Sequence, residues 1–230
     1  MEICLSIIYF VFQSTFMDSQ HPSLEALQDI KRIMERSSRF ISLSGLSGVG
    51  AGICALAGAY VAKGWIDGYR SDRVQTGFHQ AAADILRIKL VLLALVVLIF
   101  ALLLCFYFTW RKASRNSLPV WDHTSKKLLV NIIIPLAAGG LFVIGLLYHN
   151  EWRFVAPACL VFYGLALVNA SKYTLRDIRY LGLLEIAAGL VNMYYADFGL
   201  YFWALGFGVL HIIYGLIMWW KYDKAPGAEQ

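Results

Sequence analysis

Long apolar runs separated by polar connections set the pattern of this chain. Residues 41–62, 90–110, 128–148, 154–171, 180–198 and 199–220 are apolar over most of their length. Each is close to the roughly 20 residues that a helix needs to cross a bilayer. The pattern predicts an all-α, polytopic transmembrane bundle of about six spans. The connections at 149–153 and 197–199 are short, which makes the helices on either side antiparallel neighbours. The spans therefore group as three helical hairpins.

The spans differ in kind. The first is rich in small residues, with Gly45, Gly48 and Gly52 at spacings of three and four. Small residues on one helix face let backbones approach closely, so this helix is expected to be packed on its neighbours. The second span is large and aliphatic with almost no polar atoms, which suits a lipid-facing helix. Trp110 closes it, followed by Arg111 and Lys112, as at a membrane interface. Pro135 in the third span is expected to kink that helix and free a backbone carbonyl.

The later hairpins look like copies of one another. Ala137-Ala138-Gly139 recurs as Ala187-Ala188-Gly189, Tyr163-Gly164 as Tyr214-Gly215, and Lys172-Tyr173 as Lys221-Tyr222. The three offsets are 50, 51 and 49 residues, each within one residue of a common period, and a near-constant period implies repeated supersecondary units. The glycine-rich start of the first span occupies the same place in a divergent third copy.

Upstream, residues 1–16 are apolar but too short for a span, and Glu2 stands where a secretory leader carries basic residues. They read as a surface-lying segment or as an upstream mis-start, with Met17 opening a polar N-terminus; the mis-start is favoured. Residues 17–40 contain an amphipathic helix in which Leu24, Leu27, Ile30 and Met34 share a face. Lys31, Arg32, Arg36 and Arg39 crowd its second half, which fits either an anionic membrane surface or a solvated lead-in helix. Residues 41–220 form the transmembrane domain and 221–230 a short tail.

Composition agrees with this reading: 59% of the 230 residues are hydrophobic. The net charge of +5 resides in the connections, where it orients spans, so no nucleic-acid partner is expected. Most Lys and Arg fall on the side of residues 18–40, 111–127, 172–179 and the C-terminus. By the positive-inside rule both termini are cytoplasmic, and the location read from this is a bacterial inner membrane. Cys4, Cys54, Cys105 and Cys159 lie in apolar segments without a CxxC, so neither a disulfide framework nor a zinc site is expected.

Ionisable groups inside spans are costly and point to function. Glu185 in the fifth span and His211 in the sixth lie at similar depths, and Tyr214 is one turn from His211. A Glu185–His211–Tyr214 cluster would bind a proton, a cation or a polar headgroup, or would simply tie two helices together. Asn131, Asn169 and Asn192 read as interhelical hydrogen-bonding groups. His79, Asp84, His149 and Glu151 have irregular spacing and read as solvated loop residues. No catalytic, nucleotide or metal motif stands out, and no cofactor is expected.

The layout resembles small bacterial six-helix inner-membrane proteins of unknown function, through SSRFISLSGLSG and AGICALAGAY followed by two hairpins. LGLLEIAAGLV and the YGLIMWW ending are also similar in pattern to HdeD-like membrane proteins. No functional residue carries over from either. The expected function is non-enzymatic sensing of a small ligand, lipid or stress signal, with residues 17–40 meeting a cytoplasmic protein partner. The alternative is a small transporter or channel, which requires a homodimer whose pore takes polar residues from both copies. An intramembrane enzyme acting on lipid would need a nucleophile or metal that the sequence does not offer.

Overall fold

The computed structural model describes residues 44–77, 79–115 and 121–224, and among them every regular element is helical. Six helices follow one another: α1 Gly45–Thr76, α2 Gln80–Arg115, α3 His123–Tyr148, α4 Val155–Ala170, α5 Asp177–Tyr194 and α6 Ala196–Asp223. The amphipathic helix expected within 17–40 and the segment 1–16 lie outside the described residues.

Five of the six are long and apolar enough to cross a membrane; α5 is not among them. In its 18 residues α5 carries Asp177, Arg179 and Glu185. The helix that fails on composition is thus the one that bears the buried carboxylate.

The segment 63–89, between the first two apolar runs, is helical on both sides of Gly77. α1 runs for 32 residues and α2 for 36. At 1.5 Å per residue these are about 48 and 54 Å, well beyond a ~30 Å hydrocarbon core. Charged residues such as Lys63 and Asp67 masked the helix in the hydropathy pattern, yet at i, i+4 they pair and support it. Gly77 adopts φ +89°, a backbone conformation that residues with a Cβ rarely take.

α3 begins in a capping box. Asp122 Oδ1 accepts from Ser125 N at 2.6 Å, and Asp122 N donates to Ser125 Oγ at 2.8 Å. It ends at Tyr148, and in the short turn to α4 Asn150 is held at φ 62°, a region that Asn tolerates better than most residues. Within α3, Pro135 has no N–H to offer the Asn131 carbonyl one turn back. Asn169 of α4 takes its place, with Nδ2 donating to Asn131 O at 2.8 Å. The freed carbonyl is therefore satisfied from a neighbouring helix.

The N-terminus of α1 is capped from the far end of the chain. Asp223, the last residue of α6, accepts from Gly45 N and Ser44 Oγ, both at 3.0 Å. Its other oxygen meets Lys112 Nζ of α2 at 2.6 Å. A negative group at a helix N-terminus is favourable, and here it also ties three helices together. Asp177 at the start of α5 accepts from Lys221 Nζ and Tyr222 OH, both at 2.9 Å. The stretch 221–224, expected as tail, is therefore structural.

Antiparallel hairpins are present in α1–α2 and α3–α4. The third differs from expectation: α5 packs chiefly on α4 and α6 chiefly on α1, although only a short turn separates α5 from α6. The reason is two glycine seams. A methyl built on Gly164 would stand 2.6 Å from Gly182 O, and one on Gly182 would stand 2.7 Å from Gly164 O. Likewise a methyl on Gly45 would stand 2.5 Å from Gly215 O, and one on Gly215 would stand 2.8 Å from Gly45 O. Seven residues further along, Gly189 faces Pro157 O, and Gly52 faces Gly208 O. The two seams, α4 on α5 and α6 on α1, share one register. Tyr163-Gly164 and Tyr214-Gly215 keep it, whereas Lys172-Tyr173 and Lys221-Tyr222 are two residues out of it. α2 and α3 flank this core and leave large apolar side chains such as Leu102, Phe106, Leu141 and Ile144 exposed, as lipid-facing helices do.

Candidate functional site

Glu185 sits at the centre of α5, on the same helix face as Gly182 and Gly189, and is fully buried at 0% exposure. Its carboxylate fits against Gly206 of α6, where any side chain would collide with it, and beside Leu160 of α4. Gly206 lies in a π-helical stretch of α6, Ala204–Leu210. Such stretches widen a helix locally and often accompany functional sites.

His211 follows this stretch and is 7% exposed. Its Nδ1 lies 3.0 Å from Gly206 O and 3.4 Å from Glu185 Oε1. A carbonyl oxygen only accepts, so Nδ1 carries a proton. In the neutral ring Nε2 is then an acceptor, and Tyr163 OH of α4 donates to it at 2.7 Å. The site is thus Glu185, His211 and Tyr163, one residue from each of α5, α6 and α4. Phe207 packs against both Tyr163 and His211, and Trp203 packs on Phe207.

The expected Glu185–His211 pairing is present. Tyr214 is a correction: it is near enough to Asp177 and Tyr180 at the start of α5 to feel their charge, and no hydrogen bond or ring contact among the described residues joins it to Glu185 or His211. Residues three apart on a helix differ by about 60° in direction, which turns Tyr214 to another neighbour. Tyr163 takes its place because α4, not only α5, lies against α6. Sequence reasoning passed over Tyr163 as a site residue, although the Tyr-Gly repeat had marked it.

Neither oxygen of Glu185 accepts a hydrogen bond from any described residue. Asn192, two turns along α5 on the same face, is also 0% exposed. Its Nδ2 donates to Tyr195 O at 3.0 Å, while its Oδ1 accepts no hydrogen bond from any described residue. Asn192 was expected to bond across helices; among the described residues its bond, to Tyr195 O, lies within its own chain turn. Asn131 does join two helices, through Asn169. Gly45, Gly48 and Gly52 all lie against α6. Comparison with protein-family models, with curated proteins and with solved structures finds no match to this chain.

Proposed function

We propose that this chain is a non-catalytic membrane protein that takes up a single positive charge, a proton, at the Glu185–His211–Tyr163 site. The observation that supports this most is the fully buried Glu185 carboxylate with both oxygens unfilled, 3.4 Å from an imidazole nitrogen. With His211 neutral and Glu185 ionised, the site carries one uncompensated negative charge. Leaving such a charge buried is costly, and one proton on either partner removes it. The site joins three helices, so its charge sets how α4, α5 and α6 pack. This is the behaviour of a sensor or accessory protein. In this reading the membrane is a bacterial inner membrane with both termini cytoplasmic, and residues 17–40 meet a cytoplasmic partner. The likeness to HdeD-like membrane proteins belongs to the same proposal.

The test is a pH titration of Trp and Tyr fluorescence and carboxyl infrared absorption in detergent. The wild type is expected to show a titrating carboxyl band coupled to a fluorescence change, and Glu185→Gln to lose both. A carboxyl band that survives in Glu185→Gln, or no titration in the wild type, refutes the reading. A sodium-dependent change at constant pH would make a small cation the ligand instead.

The alternative is a small transporter or channel. It is favoured by the midspan position of the pair and would require a dimer. Charge flux in proteoliposomes, lost in Glu185→Gln, would establish it.

A further inference from the structure

The hydrogens of the unloaded site decide where an added proton can rest. His211 Nδ1 lies 3.0 Å from Gly206 O and 3.4 Å from Glu185 Oε1, so its hydrogen is shared between them. Nε2 holds the lone pair and takes the Tyr163 hydroxyl hydrogen at 2.7 Å. An added proton therefore has two seats, a Glu185 oxygen or His211 Nε2.

A proton on Glu185 makes a hydroxyl, which needs an acceptor in a place with 0% exposure. The carboxyl lies against Gly206 and the Leu160 side chain. Leu160 offers that hydroxyl hydrocarbon only, and Gly206 O is already bound by the imidazole. Nδ1 could accept only by giving up its own hydrogen, which strands Gly206 O. A proton on Nε2 strands neither group. The imidazolium keeps Nδ1–H on Gly206 O and beside the Glu185 carboxylate. Its new Nε2–H meets the Tyr163 oxygen once that hydroxyl turns about its C–O bond. A tyrosine hydroxyl can donate or accept, and no covalent bond of the protein breaks. The Cys105 thiol of α2, a weak acceptor, is near enough to act on Tyr163. α1 presents Gly48 and Gly52 to α6 at this level and adds no charge.

We propose that the site takes up its proton on His211 Nε2, with Glu185 remaining a carboxylate and Tyr163 turning from hydrogen-bond donor to acceptor. This rests on the charge-uptake reading above and adds to it the atom that binds and the hydroxyl that switches. The loaded site is an imidazolium–carboxylate pair with no net charge. A metal ion would need several oxygens turned inward; here Gly206 O is taken and Nδ1–H faces the carboxylate. The switch also has a built-in reporter, because Phe207 packs on both Tyr163 and His211 and Trp203 packs on Phe207. The carboxyl band that titrates is then the Glu185 carboxylate stretch, shifted as the imidazolium forms beside it.

The experiment uses the full chain in lipid bilayers, isotopically labelled at the histidine ring nitrogens. Solid-state NMR follows those nitrogens across pH, and His211→Gln identifies the His211 signals. At alkaline pH Nδ1 is expected to be protonated and Nε2 bare; at acid pH both should be protonated. Infrared spectra of the same samples should show no protonated-carboxyl band that Glu185→Gln removes. Hydrogen bonds to charged groups are stronger than neutral ones, so Tyr163→Phe should weaken proton binding about three- to tenfold, lowering the His211 midpoint by roughly 0.5–1 pH unit. A bare Nε2 throughout a titration that still proceeds, or a protonated-carboxyl band from Glu185, overturns the assignment to His211. An unchanged or raised midpoint in Tyr163→Phe overturns the hydroxyl switch. Absence of any titration in the wild type would instead overturn the charge-uptake reading itself, so the failures are distinguishable.

Discussion

Replacing Gly164 or Gly215 with Ala is the most direct test of the two seams. At Gly164 the added methyl would lie 2.6 Å from Gly182 O and 2.9 Å from Ile186 N. At Gly215 it would lie 2.6 Å from Val49 N and 2.8 Å from Gly45 O. In both cases it meets backbone, which cannot rotate aside, so the helices must separate. Overpacking of this kind costs typically about 1–3 kcal/mol, and the absence of a yielding side chain places both near ~3. Ala is favoured over Gly inside a helix by roughly 0.5–1 kcal/mol, which leaves a net loss of about 2 kcal/mol.

Gly140 and Gly145 of α3 are the internal controls, because a methyl on either meets nothing within 4 Å. There only the helix preference acts, and Ala should be neutral or stabilising by up to ~1 kcal/mol. Seam and control variants should therefore differ by about 3 kcal/mol, a factor of roughly a hundred in the folding equilibrium. The assay is reversible unfolding in mixed micelles with increasing SDS, followed by circular dichroism. If Gly164→Ala is no less stable than Gly140→Ala, the close approach is not real. If Gly164→Ala is costly and Gly215→Ala is not, the seams are not equivalent and the shared register has no energetic meaning.

Asn169→Leu strands the Asn131 carbonyl and should cost about 1–3 kcal/mol. In a Pro135→Ala background, which restores an N–H one turn away, the same change should cost clearly less, and an additive double-mutant cycle in the same unfolding assay would refute the pairing. Asp223→Ala leaves the α1 N-terminus and Lys112 without their shared carboxylate and should cost about 3 kcal/mol in that assay. Lys112→Met should cost less after Asp223→Ala than before it, and equal costs would deny the link. Tyr163→Phe removes the donor to His211 Nε2, so the fluorescence titration should change in position or amplitude while Tyr214→Phe leaves it in place; the opposite pattern would restore Tyr214 to the site.

Much of the fold is legible in the pattern of apolar residues, because a span must be long, apolar and helical. What the pattern could not give is which helices touch. Short connections place α5 and α6 side by side in sequence, yet Gly164, Gly182, Gly45 and Gly215 draw them to other partners. The glycines of α1 were legible as a packing face; their partner on α6 was not, since close packing needs complementary positions on two helices. At the site, Glu185 and His211 stood out because ionisable groups in spans are rare. Tyr163 did not, because Tyr is common near membranes and its direction depends on the neighbour it meets. Asp223 was hidden for another reason: a cap supplied from the opposite end of the chain leaves no local signature.

The equivalence of the seams bears on whether Glu185 and His211 are merely glue. When Gly182 and Gly189 are aligned with Gly45 and Gly52, Glu185 falls on Gly48. When Gly164 is aligned with Gly215, His211 falls on Leu160. Each polar partner therefore has an apolar counterpart at the same place in the other seam. The α6–α1 seam closes over Gly48 with no carboxylate, and the α4–α5 seam closes over Leu160 with no imidazole. Close packing in this fold thus needs neither group, while burying them carries a desolvation cost that a hydrophobic pair avoids. A double variant, Glu185→Gly with His211→Leu, turns each position into its counterpart. If the pair is what holds these helices together, this variant should be clearly less stable than the wild type even though it leaves no buried charge unpaired. If the pair serves charge uptake, the variant should fold with near wild-type stability and show no proton-dependent signal.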